Sequence, residues 1–246
     1  MTNVILNGAN GKMGKVIARC IDEKDNIKIV SGVDIKTDKY SDFHIYSDIN
    51  ECPLDANVLI DFSHPSALDK VLDFAVKNKI PAVIATTGYN QEQIAKIKEA
   101  SKKVAIFFTF NMSLGINLLC DLAKRASCVL GKDFDIEIIE KHHNQKIDAP
   151  SGTAIMLANS VADDNTFFEY DRHSKRKKRE KNEIGIHSIR GGTIVGEHEV
   201  IFAGHDEVLT LSHLAMSKEI FAVGAVNAAI FLKDKSAGLY EMKDMI

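Results

Sequence analysis

V-I-L-N-G-A-N-G-K-M-G-K-V-I, Val4 to Ile17, decides the fold. Val4-Ile5-Leu6 reads as a short buried strand, glycines follow at positions 8, 11 and 14, and Val16, Ile17, Cys20 and Ile21 then recur at helical spacing. Strand, glycine-rich turn and helix in this order make G-x-x-G-x-x-G a variant of the dinucleotide fingerprint. Its glycines permit a tight turn, a close approach of backbone to a pyrophosphate, and tight packing of helix on strand. A glycine triplet alone is weak, but a second strand, Ile27 to Val33, ends at Asp34, where this kind of fold places its ribose-binding acid. Lys36 stands two residues further on and suits a 2′-phosphate. The acid argues for NADH and the lysine for NADPH, and both remain open.

The alternation continues outward from that unit. Val58-Leu59-Ile60, Ala82-Val83-Ile84 and Val104 to Phe107 read as strands, separated by helices over Pro65 to Val76 and Gln91 to Ala100. Such alternation implies an α/β fold, a doubly wound parallel sheet with helices on both faces. Ligands of these sheets lie beyond the carboxyl ends of the strands. The residues to inspect are therefore Asp61-Phe62-Ser63-His64, Ala85-Thr86-Thr87-Gly88 and Thr109-Phe110-Asn111, whose hydroxyls and amide suit ribose and nicotinamide. Ser63 and Thr87 are equally good helix caps, so cap and contact stay open.

A capped helix from Ser113 then carries the chain out of the first domain. Phe134, Ile136 and Ile138 alternate with Asp133, Asp135 and Glu137, giving a strand with one wet face. The same period sets His142 on the apolar side and His143 on the other, unless the strand breaks at Asn144-Gln145. Directly after it, Pro150-Ser151-Gly152-Thr153 opens an apolar helix. A helix N-terminus offers unpaired N–H groups and a favourable dipole, and two histidines and Lys146 stand beside this one, so the stretch reads as an anion receptor. Ile184 to Arg190, Thr193 to Ala203 and Val208 to Leu214 read as three strands, with Gly204-His205-Asp206 as a hairpin turn, and their direct connections imply antiparallel pairing. Phe221 to Phe231 is a small-residue helix that returns to the first domain.

The bulk numbers fit two domains around real cores: 246 residues, 45% hydrophobic, with a formal net charge of -3. That balance gives no global attraction to nucleic acid or to an acidic membrane. Arg172 to Lys181 is a basic run read as a solvated, mobile loop. No recognition helix or aromatic platform accompanies it, so no nucleic-acid partner is expected. No apolar run reaches membrane-spanning length and no signal peptide opens the chain, so the expected location is the cytoplasm. Cys20, Cys52, Cys120 and Cys128 make no C-x-x-C pair and are expected to be reduced thiols. Nine histidines include no H-E-x-x-H and no Cys/His spacing of the zinc kind, His198 in G-E-H-E included, so no metal is expected.

The run E-I-I-E-K-H-H-N-Q-K-I-D-A-P-S-G-T-A, Glu137 to Ala154, resembles the signature of the 4-hydroxy-tetrahydrodipicolinate reductase family. G-A-N-G-K-M-G at Gly8, D-F-S at Asp61, T-T-G at Thr86, N-M-S-L-G-I-N at Asn111 and R-G-G-T-I-V-G-E-H at Arg190 extend the resemblance along the chain. It implies a Rossmann-type domain from residues 1–112 and 217–246, and a substrate-binding and oligomerisation domain, residues 113–216, with an open mixed, largely antiparallel sheet that assembles a homotetramer. It also implies NADH or NADPH as cofactor and a cyclic imine dicarboxylate as substrate. By position, His142 and Lys146 become the catalytic pair, with Lys146 the proton donor, and His143, Lys146, Ser151, Gly152 and Thr153 hold the carboxylates. The cofactor set becomes Gly8, Asn10, Gly11, Lys12, Met13, Gly14, Asp34, Lys36, Phe62, Ser63, Ala85, Thr86, Thr87, Phe110, Asn111 and Lys218. Two positions depart from the family pattern: Ala85 stands for the glycine before T-T-G, and Lys218 for an arginine, which removes a bidentate fork. A dinucleotide-sensing regulator is the rival from another class, but it has no need of the histidine pair, Lys146 and the S-G-T helix start together.

Overall fold

The computed structural model describes residues 1–245. Two compact units divide the chain: Met1–Ser113 with the segment from Glu219 onward, and Leu114–Lys218. The first unit begins β1 (Thr2–Asn7), α1 (Lys12–Asp22), β2 (Ile27–Val33), β3 (His44–Tyr46), β4 (Val58–Asp61), α2 (Leu68–Asn78), β5 (Ala82–Ile84), α3 (Gln91–Ser101) and β6 (Ala105–Phe108). The second unit is α4 (Leu114–Leu130), β7 (Asp135–His142), α5 (Gly152–Val161), β8 (Phe167–Glu169), β9 (Glu183–Arg190), β10 (Gly196–Ala203) and β11 (Val208–Ala215). The chain then re-enters the first unit as α6 (Glu219–Leu232) and β12 (Gly238–Tyr240).

In the first unit the strand order is β12-β6-β5-β4-β1-β2-β3, and the pairings are parallel throughout. Side chains alternate across this sheet and make two cores. Val4, Leu6, Val58, Ile60, Val83 and Phe107 pack under α1 and α6, on a layer of Ile17, Ile21, Ala225 and Ala229. Ile5, Leu59, Ile84 and Ile106 face the other way, onto Leu68, Val71, Phe74 and Ile97 of α2 and α3. Burial on both faces explains why these strands read as unbroken apolar runs. Successive strands run outward from β1 in one direction and from β4 in the other, so the turn after β1 opens at the switch point of the sheet.

The second unit's sheet has the order β11-β10-β7-β9-β8. β10 runs antiparallel to both neighbours, while β7, β9 and β8 are mutually parallel. The sheet is mixed as expected, but one expected pairing is corrected: β9 and β10 are not neighbours, because β7 lies between them. Stepping over one strand is a span of about 10 Å, within reach of the five connecting residues. The connection is fastened across the end of β7, where the Gly191 N–H donates to the His142 carbonyl and the Asn144 N–H to the Gly192 carbonyl. α4 and α5 cover one face of this sheet through Ile116, Leu119, Leu157 and Val161 on Ile138, Ile186, Val200 and Phe202.

The basic run is largely exposed, but four of its seven cations, Arg172, Lys175, Lys177 and Arg179, are paired with carboxylates. Arg179 bonds Asp135 and Glu137, each at 2.9 Å, and the carbonyl of Ile136; Arg172 pairs with Glu183 and Lys175 with Glu169. These pairs staple the segment to β7, β8 and β9. The four cysteines are free thiols. Among the described residues, no helix is long and apolar enough to cross a membrane, and no group of three or more His, Cys, Asp or Glu is placed to hold a metal ion.

Candidate active site

The dinucleotide half is built at the carboxyl ends of β1, β2, β4 and β5. Gly8 has φ +81° and a Cβ there would lie 2.3 Å from the Phe62 carbonyl oxygen; a Cβ on Gly14 would lie 2.1 Å from the Gly8 oxygen. The turn therefore touches backbone on both sides. Gly11 is the N-cap of α1, with no side-chain capping bond and no acidic residue in the first turn. The leading amides of α1 are thus left for an anion, and the residues fit a pyrophosphate. A cavity of about 430 Å³ opens beside the turn, lined by Gly8, Gly11, Asp34, Ile35, Ser63 and Lys70 among others. Asp34 borders it, one oxygen accepting from the Asn10 N–H at 2.9 Å and the other from the Lys36 N–H at 3.1 Å. The Asn10 side chain donates to the carbonyls of Lys36 and Asp38, so it braces the loop after β2. Lys12 and Lys36 are exposed, while Met13 packs against the core.

The hydroxyls after β4 and β5 answer to Asp61, which stands among the residues expected at the strand ends but for which the sequence suggests no role. Asp61 is fully buried at the end of β4 and accepts from Ser63 Oγ at 2.6 Å, Thr86 Oγ1 at 2.8 Å and Asn7 Nδ2 at 2.7 Å. Burial pushes the Asp61 carboxyl up, against the hydrogen bonds from Ser63, Thr86, Asn7 and Tyr89 that favour its ionised form. Both hydroxyl protons are consumed inside the protein, so Ser63 and Thr86 offer a ligand acceptors rather than donors. The local helix cap is His64, which accepts from the Ser66 N–H, rather than Ser63. Ala85 is buried, Thr87 is exposed, and Phe110 is exposed with its ring edge-on to Phe108. Asn111 is buried and its Oδ1 accepts from the Ser113 N–H. Lys218 is exposed, in the turn before α6, at the end of the second unit.

In the second unit, β7 ends at His142, which is buried in phase with Ile138, as the alternation requires. His143 and Lys146 lie in the turn beyond it, with the Lys146 N–H on the His143 carbonyl. Lys146 Nζ sits 2.9 Å from Asp148 Oδ1, and that ammonium, first among the causes, holds the Asp148 carboxyl below its ordinary range. Ser151 is the N-cap of α5, its Oγ accepting from the Ala154 N–H at 3.1 Å and lying 3.0 Å from His198 Nε2. With the Ser151 hydroxyl so committed, the surface presented to an anion begins with the exposed Gly152 and the half-buried Thr153.

Three residues outside the expected set complete the arrangement: Glu140, Arg190 and His198. Glu140 is fully buried and accepts from both terminal nitrogens of Arg190, at 2.8 and 2.7 Å, and pairs with His142 Nδ1 at 2.6 Å. Burial works to raise this carboxyl, but Arg190 and then His142 outweigh it and bring it down to about 2. The His198 ring packs edge-on to His142 with centroids 5.1 Å apart. Burial first, then the neighbouring His142, pushes His198 down to about 4. Unfolded, such a histidine takes up its proton near pH 6.5. The stability it supports is therefore complete above pH 6.5 and is lost as pH falls toward about 4, because the unfolded chain binds a proton the folded one refuses. Urea melts across that interval should show wild type losing stability more steeply than His198→Gln; parallel curves would overturn this assignment.

A glycine-turn nucleotide unit joined to an anion-receiving unit with ionisable groups defines a dinucleotide-dependent oxidoreductase acting on a small anion. Family models described as dihydrodipicolinate reductase, N-terminus and C-terminus, match residues 2–112 and 115–246. The 4-hydroxy-tetrahydrodipicolinate reductase of Clostridium novyi (strain NT) is 51% identical over 249 residues, covering 100% of this chain and 98% of that protein. The reductase of that name from Caldanaerobacter subterraneus subsp. tengcongensis is likewise 51% identical, with the same coverage. A dipicolinate-bound dihydrodipicolinate reductase from Paenisporosarcina sp. TG-14 shares the fold, with a TM-score of 0.82 at 23% identity and full coverage of both chains. The chain belongs to the dihydrodipicolinate reductase family.

Proposed function

We propose that the protein reduces 4-hydroxy-tetrahydrodipicolinate, a cyclic imine dicarboxylate, to tetrahydrodipicolinate in the diaminopimelate route to lysine, the 4-hydroxyl leaving as water while NADH or NADPH and one proton supply the two hydrogens gained. The observation that carries this reading is that one buried carboxylate, Glu140, holds both His142 and the start of α5, with Lys146 in the turn between them on Asp148. Gly8, Gly11 and Asp34, with Gly14 keeping the turn tight, would hold the dinucleotide in the first unit, and its chemistry there would be to supply the hydride. In the second unit the amides at Gly152 and Thr153, with His143 and Lys146, receive the substrate carboxylates. A dicarboxylate suits them better than a phosphate, since the phosphate-binding task falls to the glycine turn. Negative charge that builds on the ring during reduction is met by the Lys146 ammonium, which also holds the proton to be delivered. His142 stands next to it with one nitrogen anchored.

Location in the cytoplasm and assembly as a homotetramer belong to the same reading. Support for assembly comes from the sheet face away from α4 and α5, which carries Ile139, Ile201 and the Lys141–Glu197–Glu199 ion-pair cluster, all only half-buried, and from exposed Val208 and Leu214 on the edge strand.

The deciding assay follows oxidation of NADH and of NADPH with freshly prepared 4-hydroxy-tetrahydrodipicolinate. Turnover is expected, with dipicolinate competing against the substrate. No turnover with either dinucleotide sinks the proposal.

A further inference from the structure

We infer that Glu140 is the positioning residue of this site: it holds His142 with a proton on Nδ1 and a bare Nε2, and sets the α5 start and the Lys146 turn in register with it. The inference rests on the reading of His142 and Lys146 given above.

Glu140 lies on β7 two residues before His142, on the same face as Ile138, and is fully buried. A carboxylate there must be paired or neutralised. Its Oε2 accepts from Arg190 Nη1 at 2.8 Å and meets His142 Nδ1 at 2.6 Å; its Oε1 accepts from Arg190 Nη2 at 2.7 Å and from the Ser151 N–H at 3.1 Å. The Arg190 fork is what keeps it ionised. An ionised carboxylate has no hydrogen to donate, so the nitrogen facing it must be Nδ1–H. Nε2 is then the working atom. Beside it stands Gly196 of β10, where a Cβ would come within 3.1 Å, so that position is kept clear of a side chain.

The same carboxylate reaches the other parts of the site. Through the Ser151 N–H it fixes the N-cap of α5. Through Arg190, whose Nη2 also donates to the Asp148 carbonyl at 2.6 Å, it fixes the residue whose side chain pairs with Lys146. A buried ion pair serving stability alone has no need to divide its oxygens among a histidine, a helix start and an arginine that itself braces the lysine-bearing turn.

The charged groups facing His142 are Glu140, Arg190, Lys146 and His198, with His213 behind His198. Burial lowers the pKa of His142, Glu140 raises it, and Lys146 and Arg190 lower it. Replacing Glu140 by glutamine removes the one group that favours the imidazolium. The Gln oxygen remains with Arg190, and the amide NH2 turns toward His142 and donates to Nδ1.

Imidazole ¹⁵N spectra of wild type, with His142 assigned by comparison with His142→Gln, should show Nδ1–H and a bare Nε2 at neutral pH. In Glu140→Gln the proton should move to Nε2, His142 should titrate at lower pH, and kcat should fall about 100-fold with dinucleotide Kd unchanged. A wild-type proton on Nε2 overturns the inference, as does a folded Glu140→Gln with wild-type tautomer, titration and kcat. If the variant does not fold, the wild-type spectrum still decides. Absence of turnover in wild type would count against the proposed reaction alone, since the spectra need no substrate.

Discussion

Gly14→Ala should abolish useful dinucleotide binding while leaving the second unit intact. The added methyl would sit 2.1 Å from the Gly8 oxygen and 2.7 Å from the Ala9 oxygen, both backbone atoms of the turn that α1 springs from. No rotamer relieves that overlap, so either α1 backs away from β1 or the turn opens. Backing away strains the layer in which Ile17, Ala18 and Ile21 bury against Val4 and Leu6, at a cost of about 1–3 kcal/mol for an overpacked core. Opening the turn moves the leading amides of α1, the anion site itself, away from Asp34 and the cavity. Affinity for NADH and NADPH should drop by about 100-fold or more, equivalent to about 2.8 kcal/mol. Titration calorimetry checks the affinity and a thermal melt checks the fold. Wild-type affinity together with a wild-type melt would mean that the close approach at Gly14 is not what shapes the nucleotide site.

The same turn shows why the first unit was legible in sequence. Its strands are short apolar runs buried on both faces, its glycines are required by contacts within a few residues, and Asp34 follows β2 directly, so local pattern and final structure agree. β2 and β5 occupy the residues their apolar runs imply, whereas β3 and β12, three residues each on the two edges of the sheet, leave almost no periodic signal. What local pattern does not carry is which strands become neighbours. The apolar runs of β9 and β10 are consistent with a hairpin, and only the insertion of β7 between them, closed by bonds from residues 144 and 191, excludes it.

Glu140 was hidden for a related reason. Alternation in Asp135 to His142 predicts that acids occupy the wet face, yet Glu140 falls in phase with Ile138 on the dry one, because Arg190, fifty residues away, meets it there. An acid that breaks the period of its own strand was the available signal. Asp61, closing the apolar run of β4, is a second case: its partners Asn7, Ser63 and Thr86 are contributed by the ends of three strands. His142, Lys146 and the α5 start were legible because they lie within one short stretch, whereas His198 required the sheet to bring β10 alongside.

Lys146→Ala should lower kcat by about 10²–10⁴-fold, the range for loss of a positioned acid, while dinucleotide affinity stays at the wild-type value. The two effects separate because Lys146 lies in the second unit and the glycine turn, Asp34 and their cavity lie in the first. Two roles are combined in the side chain, a cation for the substrate carboxylates and a donor for the proton, and Lys146→Arg divides them. Arginine keeps the charge and can still bond a carboxylate, but its guanidinium does not release a proton at any ordinary pH. If proton donation limits the reaction, Lys146→Arg should recover substrate KM and leave kcat near that of Lys146→Ala. If charge alone matters, both parameters should recover. Asp148→Asn adds a third point: removing the anion 2.9 Å from Nζ frees the lysine's position without removing its proton, so KM should rise more than kcat falls. An unchanged kcat in Lys146→Ala would refute the donor role and leave His142, with its bare Nε2, as the group to which the chemistry must be reassigned.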